Sequence, residues 1–322
     1  MKYAEESRRG NLTAVTEFIF LGLANHHELE VPLFFIYLLI YTVTLMGNII
    51  IIIIIMDPAL YTPMYFFLQV LSFLEICYTS VTVPKMLVNF LSADRSISYM
   101  GCLAQMYFLL LHGISECFLL AAMAYDRYMA ICNPLRYRII MNRKVCLSLT
   151  VLSWFSGNVV TLIQTAGVFT MPFCGSNQIN YFFCDIPPLI KLSCIDIALY
   201  EMQLFTAAIL VISIPFSLIL VSYIFIISTI LKMTTAEGRH KAFSTCSSHL
   251  IVVKYYGSSS LIYLRPNSIN LRDSNKMPYL IYTTITPTLN PFIYSLRNKE
   301  MIGSLRRLLR DRMKRKIFSH RK

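Results

Sequence analysis

Long apolar stretches alternate with short polar segments along almost the whole chain. A helix of about 20 apolar residues spans the hydrocarbon core of a bilayer, and seven stretches are long enough to do so. They are Val31–Met56, Met64–Leu87, Met100–Ile131, Val145–Thr170, Tyr200–Leu231, Phe243–Leu264 and Met277–Leu296. Because irregular backbone cannot face lipid, the pattern predicts an all-α membrane protein with one seven-transmembrane helix bundle and no internal repeat.

Polar segments precede the first predicted span and follow the last one. We expect residues 1–30 to form an extracellular tail, residues 31–296 the transmembrane domain and residues 297–322 a basic cytoplasmic tail. No cleavable signal peptide is expected, because the first apolar run is too long and begins too late. The segment Arg306–Lys316 predicts a short amphipathic helix after the seventh span, with its basic residues at the lipid headgroups.

Composition and charge placement agree with a membrane protein and orient it. The chain is 56% hydrophobic and 14% charged, whereas soluble domains carry about 25% charged residues. With the N-terminus outside, the inner segments hold 18 Lys and Arg residues and the outer segments hold 8, which favours that orientation. The net charge of +12 then lies mostly on the inner face, where it suits anionic lipid and an acidic protein partner rather than nucleic acid.

Two polar sites interrupt the apolar spans near their inner ends. Arg127 lies in Met123–Cys132 at the end of the third span, and a charge in the bilayer centre costs roughly 2.5–3.5 kcal/mol. We therefore expect it to face protein or water, with Asp126 as its local counter-charge. In the seventh span, Pro291 removes a helical hydrogen bond and permits a bend. Together these sites predict a conformational switch across the membrane.

Glu75 and Glu116 are the two acids expected deepest in the bundle. Helix geometry places Glu75 about 18 Å from the start of the second span and Glu116 about 16 Å from Arg127, so the two carboxyl groups share a depth. Two bare carboxylates cannot coexist at low dielectric: either a cation lies between them, or a proton neutralises one and neighbours donate hydrogen bonds. The sequence leaves both alternatives open.

The nine cysteines fall into two groups. Cys77, Cys117, Cys132, Cys146 and Cys246 lie within predicted helices or at their inner ends, where free thiols behave as small apolar side chains. The other four, Cys102, Cys174, Cys184 and Cys194, lie on the outer side. They allow three pairings, among which spacing does not choose. On the same side, Asn11-Leu12-Thr13 fits a glycosylation acceptor at Asn11.

An ordered set of motifs runs from the first span to the tail. It comprises Gly47-Asn48, Pro63-Met-Tyr-Phe-Phe-Leu68, Met123–Cys132 with Asn133-Pro134, Ser222-Tyr223, Lys241-Ala-Phe-Ser-Thr-Cys-Ser-Ser-His249 and Pro287-Thr-Leu-Asn-Pro-Phe-Ile-Tyr294. With these motifs the chain resembles rhodopsin-like (class A) G-protein-coupled receptors and, among them, the olfactory receptors. The resemblance covers nearly the whole chain.

The resemblance implies roles for these residues. It implies the disulfides Cys102–Cys184 and Cys174–Cys194, and a resting state in which Asp126 holds Arg127. It also implies a sodium ion near Glu75 and Glu116, with Asn48 and Asn290 nearby, and no other cofactor. The implied G-protein coupling switch comprises Asp126, Arg127, Tyr128, Tyr223, His249, Asn290, Pro291 and Tyr294.

The resemblance also implies a ligand pocket within the bundle. Leu109 occupies the place where amine receptors carry an aspartate, which disfavours amine ligands. The implied lining is mostly apolar with a few hydroxyl groups: Leu109, Leu110, Gly113, Ile114, Ala207, Ala208, Val211, Ile212, Tyr256, Ser259, Ser260, Tyr263 and Thr283. Such a lining suits small, mostly apolar ligands held by one or two hydrogen bonds. Lys254 departs from the family pattern, in which this position is uncharged.

The resemblance thus implies an odorant receptor that binds small volatile molecules and activates a heterotrimeric G protein of the stimulatory, cAMP-raising type. It would lie in the plasma membrane as a multi-pass protein, in sensory cilia, in contact with membrane lipid. One alternative is an olfactory-type receptor that acts outside the nose. A channel or transporter is disfavoured because rings of like residues and internal repeats are not found in the sequence. An enzyme is disfavoured because no nucleophile–base pair or metal-ligand set has catalytic spacing.

Overall fold

The chain folds mainly into helices. The computed structural model describes residues 15–22, 27–56, 60, 62–173, 176–260, 276–295, 301–307 and 310. In chain order the helices are α1 Glu30–Ile55, α2 Pro63–Leu91, α3 Tyr99–Cys132, α4 Pro134–Ile140, α5 Arg143–Phe169, α6 Ile186–Ile190, α7 Ala198–Lys232, α8 Ala236–Ser260 and α9 Lys276–Ser295. Residues 27–29 form a 3₁₀ turn before α1, and residues 301–307 are again helical.

Five helices of the described part of the chain are long and apolar enough to cross a membrane: α1, α2, α3, α5 and α7. The prediction of a mostly helical membrane protein is therefore confirmed. Helices α8 and α9 are richer in polar residues and fall outside this set. That all seven long helices cross the membrane stays a prediction.

Local sequence signals set the helix ends. The Ser98 hydroxyl accepts a hydrogen bond of 3.1 Å from the Gly101 amide and caps the start of α3. Asn142 caps α5 in the same way, because its Oδ1 accepts a bond of 3.1 Å from the Val145 amide. Such caps satisfy amide groups that have no partner within the helix. Helix α3 ends at Cys132, directly before Asn133 and Pro134, in agreement with the expected span.

The long helices form a closed bundle around α3. Helix α3 packs against α2, α5 and α7, and the ring continues from α7 to α8, from α8 to α9 and from α9 to α1. More than half of the most apolar part of α3 is buried, at 61%, against 22% for α7. Helix α3 is therefore the central element of the bundle, and α7 presents a broad face to its surroundings.

A small three-stranded sheet covers one end of the bundle, called here the outer end. Strand β1 (Glu17–Phe20) lies between β2 (Ser96–Ser98), to which it is antiparallel, and β3 (Gln178–Ile179), to which it is parallel. Residues 181–190 of the following loop are all buried. Beside the sheet, Arg95 and Glu30 form an ion pair of 2.8 Å. The segment 1–30, expected to form an extracellular tail, thus contributes a strand, a 3₁₀ turn and the first residue of α1 to the fold.

The core of the bundle consists of two apolar layers with a polar layer between them. The inner apolar layer includes Leu71, Leu119 and Ile226, and the outer one includes Phe18, Met86 and Met106. Between them lie buried polar side chains, and this set is called the polar layer: Thr44, Asn48, Glu75, Thr79, Ser115, Glu116, Thr284 and Asn290. A switch of helix positions therefore has a hydrogen-bonded layer at its centre.

Candidate functional site

His249 joins three helices at the inner end of the bundle. Its imidazole lies 2.8 Å from the Tyr223 hydroxyl through Nδ1 and 3.1 Å from the Leu120 carbonyl through Nε2. A carbonyl only accepts hydrogen bonds, so Nε2 carries the proton and Nδ1 accepts from Tyr223. The contact fastens α8 to α3 and α7. It also brings the predicted switch residues Tyr223 and His249 together.

Asp126 bonds to a residue that the sequence did not single out. The Tyr137 hydroxyl, on the short helix α4, donates a hydrogen bond of 2.8 Å to Asp126 Oδ1. Burial raises the pKa of Tyr137, and the Asp126 charge raises it further, so the hydroxyl stays a donor at physiological pH. The only signal in the sequence was the turn at Asn133-Pro134, which brings α4 back towards the end of α3.

The expected ion pair between Asp126 and Arg127 is not formed in this structure, where no salt bridge within 4 Å joins these two described residues. The Tyr137 hydroxyl is instead bonded to one oxygen of the Asp126 carboxylate. Arg127 is 8% exposed, and it lies near Asp126 as well as near Cys246 and His249 of α8.

The other predicted switch residues lie apart from this contact. Tyr128 is half-buried, and its ring centroid lies 5.9 Å from that of Phe225 on α7. Pro291 is buried within α9. The Tyr294 side chain lies outside the described residues, so its part in the switch stays a prediction.

The polar layer links α9 to α1 and α2. The Asn290 amide donates a hydrogen bond to the Glu75 carboxylate, and the hydroxyls of Thr44 and Thr288 lie 2.6 Å apart. Glu116 is 3% exposed and Glu75 is fully buried. That the two carboxyl groups share a depth stays a prediction.

The donor set of the polar layer suits a hard cation better than a soft transition metal. Within the described residues, no group of three or more His, Cys, Asp or Glu side chains could hold a metal ion. The available ligands are oxygens: two carboxylates and the Oδ1 of Asn48, which is buried and has no hydrogen-bond partner among the described residues. Oxygen ligands are those that hard cations prefer.

The predicted ligand-lining residues of α3 border open space. Leu109 is buried, and Leu110, Gly113 and Ile114 are partly buried. A Cβ atom built on Gly113 would have no atom of the described residues within 4 Å. The position therefore has room for a ligand or a larger side chain.

The predicted lining residues of α7 fall on two faces. Ala207 and Val211 line a groove between α5 and α7, whereas Ala208 and Ile212 are rotated from them by about 100° and are half-buried. That all four line one ligand pocket stays a prediction. The remaining predicted lining side chains lie outside the described residues: Tyr256, Ser259, Ser260, Tyr263 and Thr283. The Lys254 side chain also lies outside them.

A disulfide ties the outer loop to α3. Cys102 and Cys184 are bonded across 82 residues of sequence, and Gln105 accepts a hydrogen bond of 2.9 Å from the Cys184 amide. Cys194 is also disulfide-bonded, while Cys174 and the acceptor Asn11 lie outside the described residues. In the described structure, none of the five cysteines expected to remain thiols forms a disulfide. Gln105 is a positioning residue that no motif indicated.

A family model described as olfactory receptor matches residues 37–312 of the chain. The chain belongs to the olfactory receptor family. Olfactory receptors are class A G-protein-coupled receptors and not enzymes, so the family predicted from the motifs is confirmed. With its apolar helices, this olfactory receptor is a multi-pass membrane protein.

Individual olfactory receptors match the chain along almost their whole length. Human olfactory receptor 10A7 is 55% identical over 309 residues, which cover 95% of this chain and 98% of the relative. Human olfactory receptor 10A3 is 50% identical over 315 residues, covering 97% and 99%. Human olfactory receptor 10A5 is 52% identical over 301 residues, covering 92% and 95%.

Proposed function

We propose that this olfactory receptor binds small, mostly apolar volatile molecules within its helix bundle and activates a heterotrimeric G protein of the stimulatory, cAMP-raising type. The observation that carries the proposal is the contact of His249 with Tyr223 and the Leu120 carbonyl. It fastens α8 to α3 and α7 beside Arg127. An agonist that binds the separated arrangement of these helices better than the fastened one would free the inner surface for a partner.

We further propose that all seven long helices cross the membrane, with the N-terminus outside. The distribution of Lys and Arg supports this orientation. In residues 301–307, Met301 and Ser304 are buried while Arg306 and Arg307 are exposed, as suits an amphipathic helix at the headgroups of anionic lipid. The receptor would thus act in the plasma membrane, in sensory cilia.

The ligand class follows from the part of the predicted lining that is described. Leu109, Leu110 and Ile114 are apolar, and the space beside Gly113 is open. A cationic ligand would lack a counter-charge on this stretch of α3, whereas an uncharged apolar molecule loses little on leaving water or lipid. Volatile organic molecules have this chemistry.

The test is the response to an odorant panel, read as cAMP in cells without other odorant receptors. We expect at least one odorant to raise cAMP in cells with the parent receptor, and Arg127→Ala to abolish the response at equal surface expression. Lys191→Ala, which removes an exposed cation on the outer side, is the matched control and should respond like the parent. An Arg127→Ala receptor that signals normally would show that the assigned switch is wrong.

We also propose that a sodium ion binds in the polar layer and favours the resting state. Glu75 and Glu116 would hold it, with Asn48 and Asn290 nearby. The ion would supply a positive charge that lets both carboxyl groups stay ionised. The alternative is a proton on one of them, with hydrogen bonds such as that from Asn290 to Glu75.

The ion and the proton give different titrations of the purified receptor. With a fluorescent probe at the inner end of α8, replacing choline chloride by sodium chloride at constant ionic strength should raise the resting population. Glu116→Gln should remove this effect, whereas Glu201→Gln, at the outer end of α7, should leave it intact. If sodium has no effect while acid shifts the population, the proton is the correct assignment.

A further inference from the structure

A groove opens between α5 and α7 on the side of the bundle. Its volume is about 510 Å³, within the range of about 300–1,000 Å³ typical of small-molecule sites. Its α7 residues begin at Leu199, next to the helix start at Ala198, and continue to Val211. The groove thus lies in the outer part of the membrane-crossing region.

A close contact between α5 and α7 at their outer ends marks where the groove begins. The Tyr200 hydroxyl of α7 donates to the Gln164 carbonyl of α5 at 2.9 Å and lies 3.2 Å from the Gln164 side-chain oxygen. The Tyr200 ring also packs on Gly167, where a Cβ atom would lie only 2.6 Å from it. The helices therefore meet closely at this level, and the groove opens beside the contact.

The wall of the groove combines apolar side chains with a few uncharged polar groups. Its apolar residues face outward, since Met202 is 61% exposed and Ile163 and Leu210 are each 54% exposed. In a membrane these surfaces meet hydrocarbon. Gln203 and Thr206 lie on the same face, and the Thr206 hydroxyl is already bonded to the Met202 carbonyl at 2.8 Å.

Gln203 gives the groove its chemical preference. Its side chain is exposed about one and a half turns into α7, and lipid chains cannot hydrogen-bond to an amide group. A molecule that presents one hydroxyl or carbonyl group would satisfy the amide, whereas an acyl chain would not. The lining residues carry no formal charge, which disfavours ionic ligands.

The groove is also continuous with the residues expected to bind odorants. Ala207 and Val211, both in the predicted ligand-lining set, form part of its wall. In the described part of the outer end, the sheet and the buried residues 181–190 cover the bundle. A lipid-soluble molecule would meet this groove from the side of the bundle without crossing that cover.

We propose that the groove between α5 and α7 is a membrane-facing binding site for small, uncharged, mostly apolar molecules with one hydrogen-bonding group. That its natural ligands are odorants rests on the proposed function. The site itself does not require signalling, and neither does its test.

The experiment is photolabelling of the purified full-length receptor in phosphatidylcholine nanodiscs. Two probes are compared, a decanol and a decane that each carry a diazirine group, and labelled residues are located by peptide mass spectrometry. The decanol should label the walls of the groove, and excess 1-octanol should displace it. The decane should show no such preference for the groove.

Two substitutions sharpen the test. Gln203→Leu keeps the approximate shape but removes the amide, and it should lower decanol labelling of the groove roughly five- to tenfold, as expected for the loss of one hydrogen bond. Ala207→Trp should fill the groove and abolish labelling. Ser217→Trp, also at an exposed position of α7 but outside the groove, should label like the parent. Gln203→Leu keeps the test decisive if the tryptophan variant at Ala207 fails to fold.

Two outcomes would overturn the proposal. They are labelling spread evenly over the outward faces of α7, and decanol labelling that Gln203→Leu leaves unchanged. A receptor that passes this test but ignores every odorant would refute the proposed function alone. A receptor that responds to odorants but leaves the groove unlabelled would refute this proposal alone.

Discussion

Tyr137 has a role at the inner end that no sequence motif indicated. Its hydroxyl donates a hydrogen bond of 2.8 Å to the Asp126 carboxylate, and this bond competes with an ion pair to Arg127. We expect Tyr137→Phe to release Asp126 to pair with Arg127 and to favour the resting state. Basal cAMP should fall, by up to about tenfold if the released carboxylate contributes about 1.4 kcal/mol.

The matched control for this prediction is Tyr125→Phe. Tyr125 is one residue from Asp126 and is exposed on α3, so loss of its hydroxyl should leave basal cAMP unchanged at equal surface expression. If Tyr137→Phe raises basal cAMP, the hydroxyl instead stabilises the resting state, and the interpretation of the Asp126 contact is reversed.

Asp126 and His249 show which features of a site can be recognised from the sequence context of single residues. A buried histidine or arginine among apolar neighbours stands out because its burial is costly, so Arg127 and His249 could be singled out. Two partners could not be singled out: the Leu120 carbonyl, which bonds to His249, and the Tyr137 hydroxyl, which bonds to Asp126, belong to residues with no unusual context. Partner choice depends on how α3, α4 and α8 meet, which no local pattern contains.

The contact of α3 with α5 depends on Gly157. A Cβ atom at this position would lie 2.3 Å from Ser115 Oγ, 3.1 Å from the Ser115 amide nitrogen and 3.2 Å from the Leu111 carbonyl oxygen. Two of these atoms are backbone and cannot turn away. Small residues allow such close approach of helices in membranes. We expect Gly157→Val to force the helices apart and to destabilise the receptor by about 1–3 kcal/mol.

Thermal unfolding of the purified receptor in detergent would measure this effect. Gly113→Ala is the control, because a Cβ atom at Gly113 meets nothing within 4 Å among the described residues. Its unfolding temperature should equal or exceed that of the parent, since alanine favours a helix more than glycine does, whereas that of Gly157→Val should be clearly lower. Equal unfolding temperatures for both variants would mean that the bundle tolerates a wider spacing of α3 and α5.

The helices were predictable as elements, but the sheet was not. The third span was expected at Met100–Ile131 and is found at Tyr99–Cys132, because a serine cap and an Asn-Pro turn mark its ends. Strand β1 has only four residues, and its partners lie at residues 96–98 and 178–179. A pairing between segments so far apart in sequence leaves no local signal. The local pattern of residues 17–20 therefore indicates only part of a polar tail.

At the scale of the whole molecule, the two apolar layers and the polar layer between them stabilise the bundle in different ways. The apolar layers contribute burial, which does not depend on direction. The polar layer fixes which helices meet, through bonds such as Thr44 to Thr288 and Asn290 to Glu75. A change of helix positions can exchange such bonds at modest net cost, because each one contributes only about 1 kcal/mol on balance.

The proposed transmission of a signal through these layers requires that the outer end, with β1 and the Cys102–Cys184 disulfide, faces the cell exterior. The sequence offers one glycosylation acceptor, Asn11-Leu12-Thr13, and glycan is added only on the lumenal side during synthesis. We therefore expect the expressed receptor to lose apparent mass on glycosidase treatment and Asn11→Gln to remove that loss. Ile317→Asn, made in the Asn11→Gln background, creates an acceptor with Ser319 in the basic tail and should stay unmodified. A glycan on the tail would place the basic face outside and reverse the topology on which the receptor function depends.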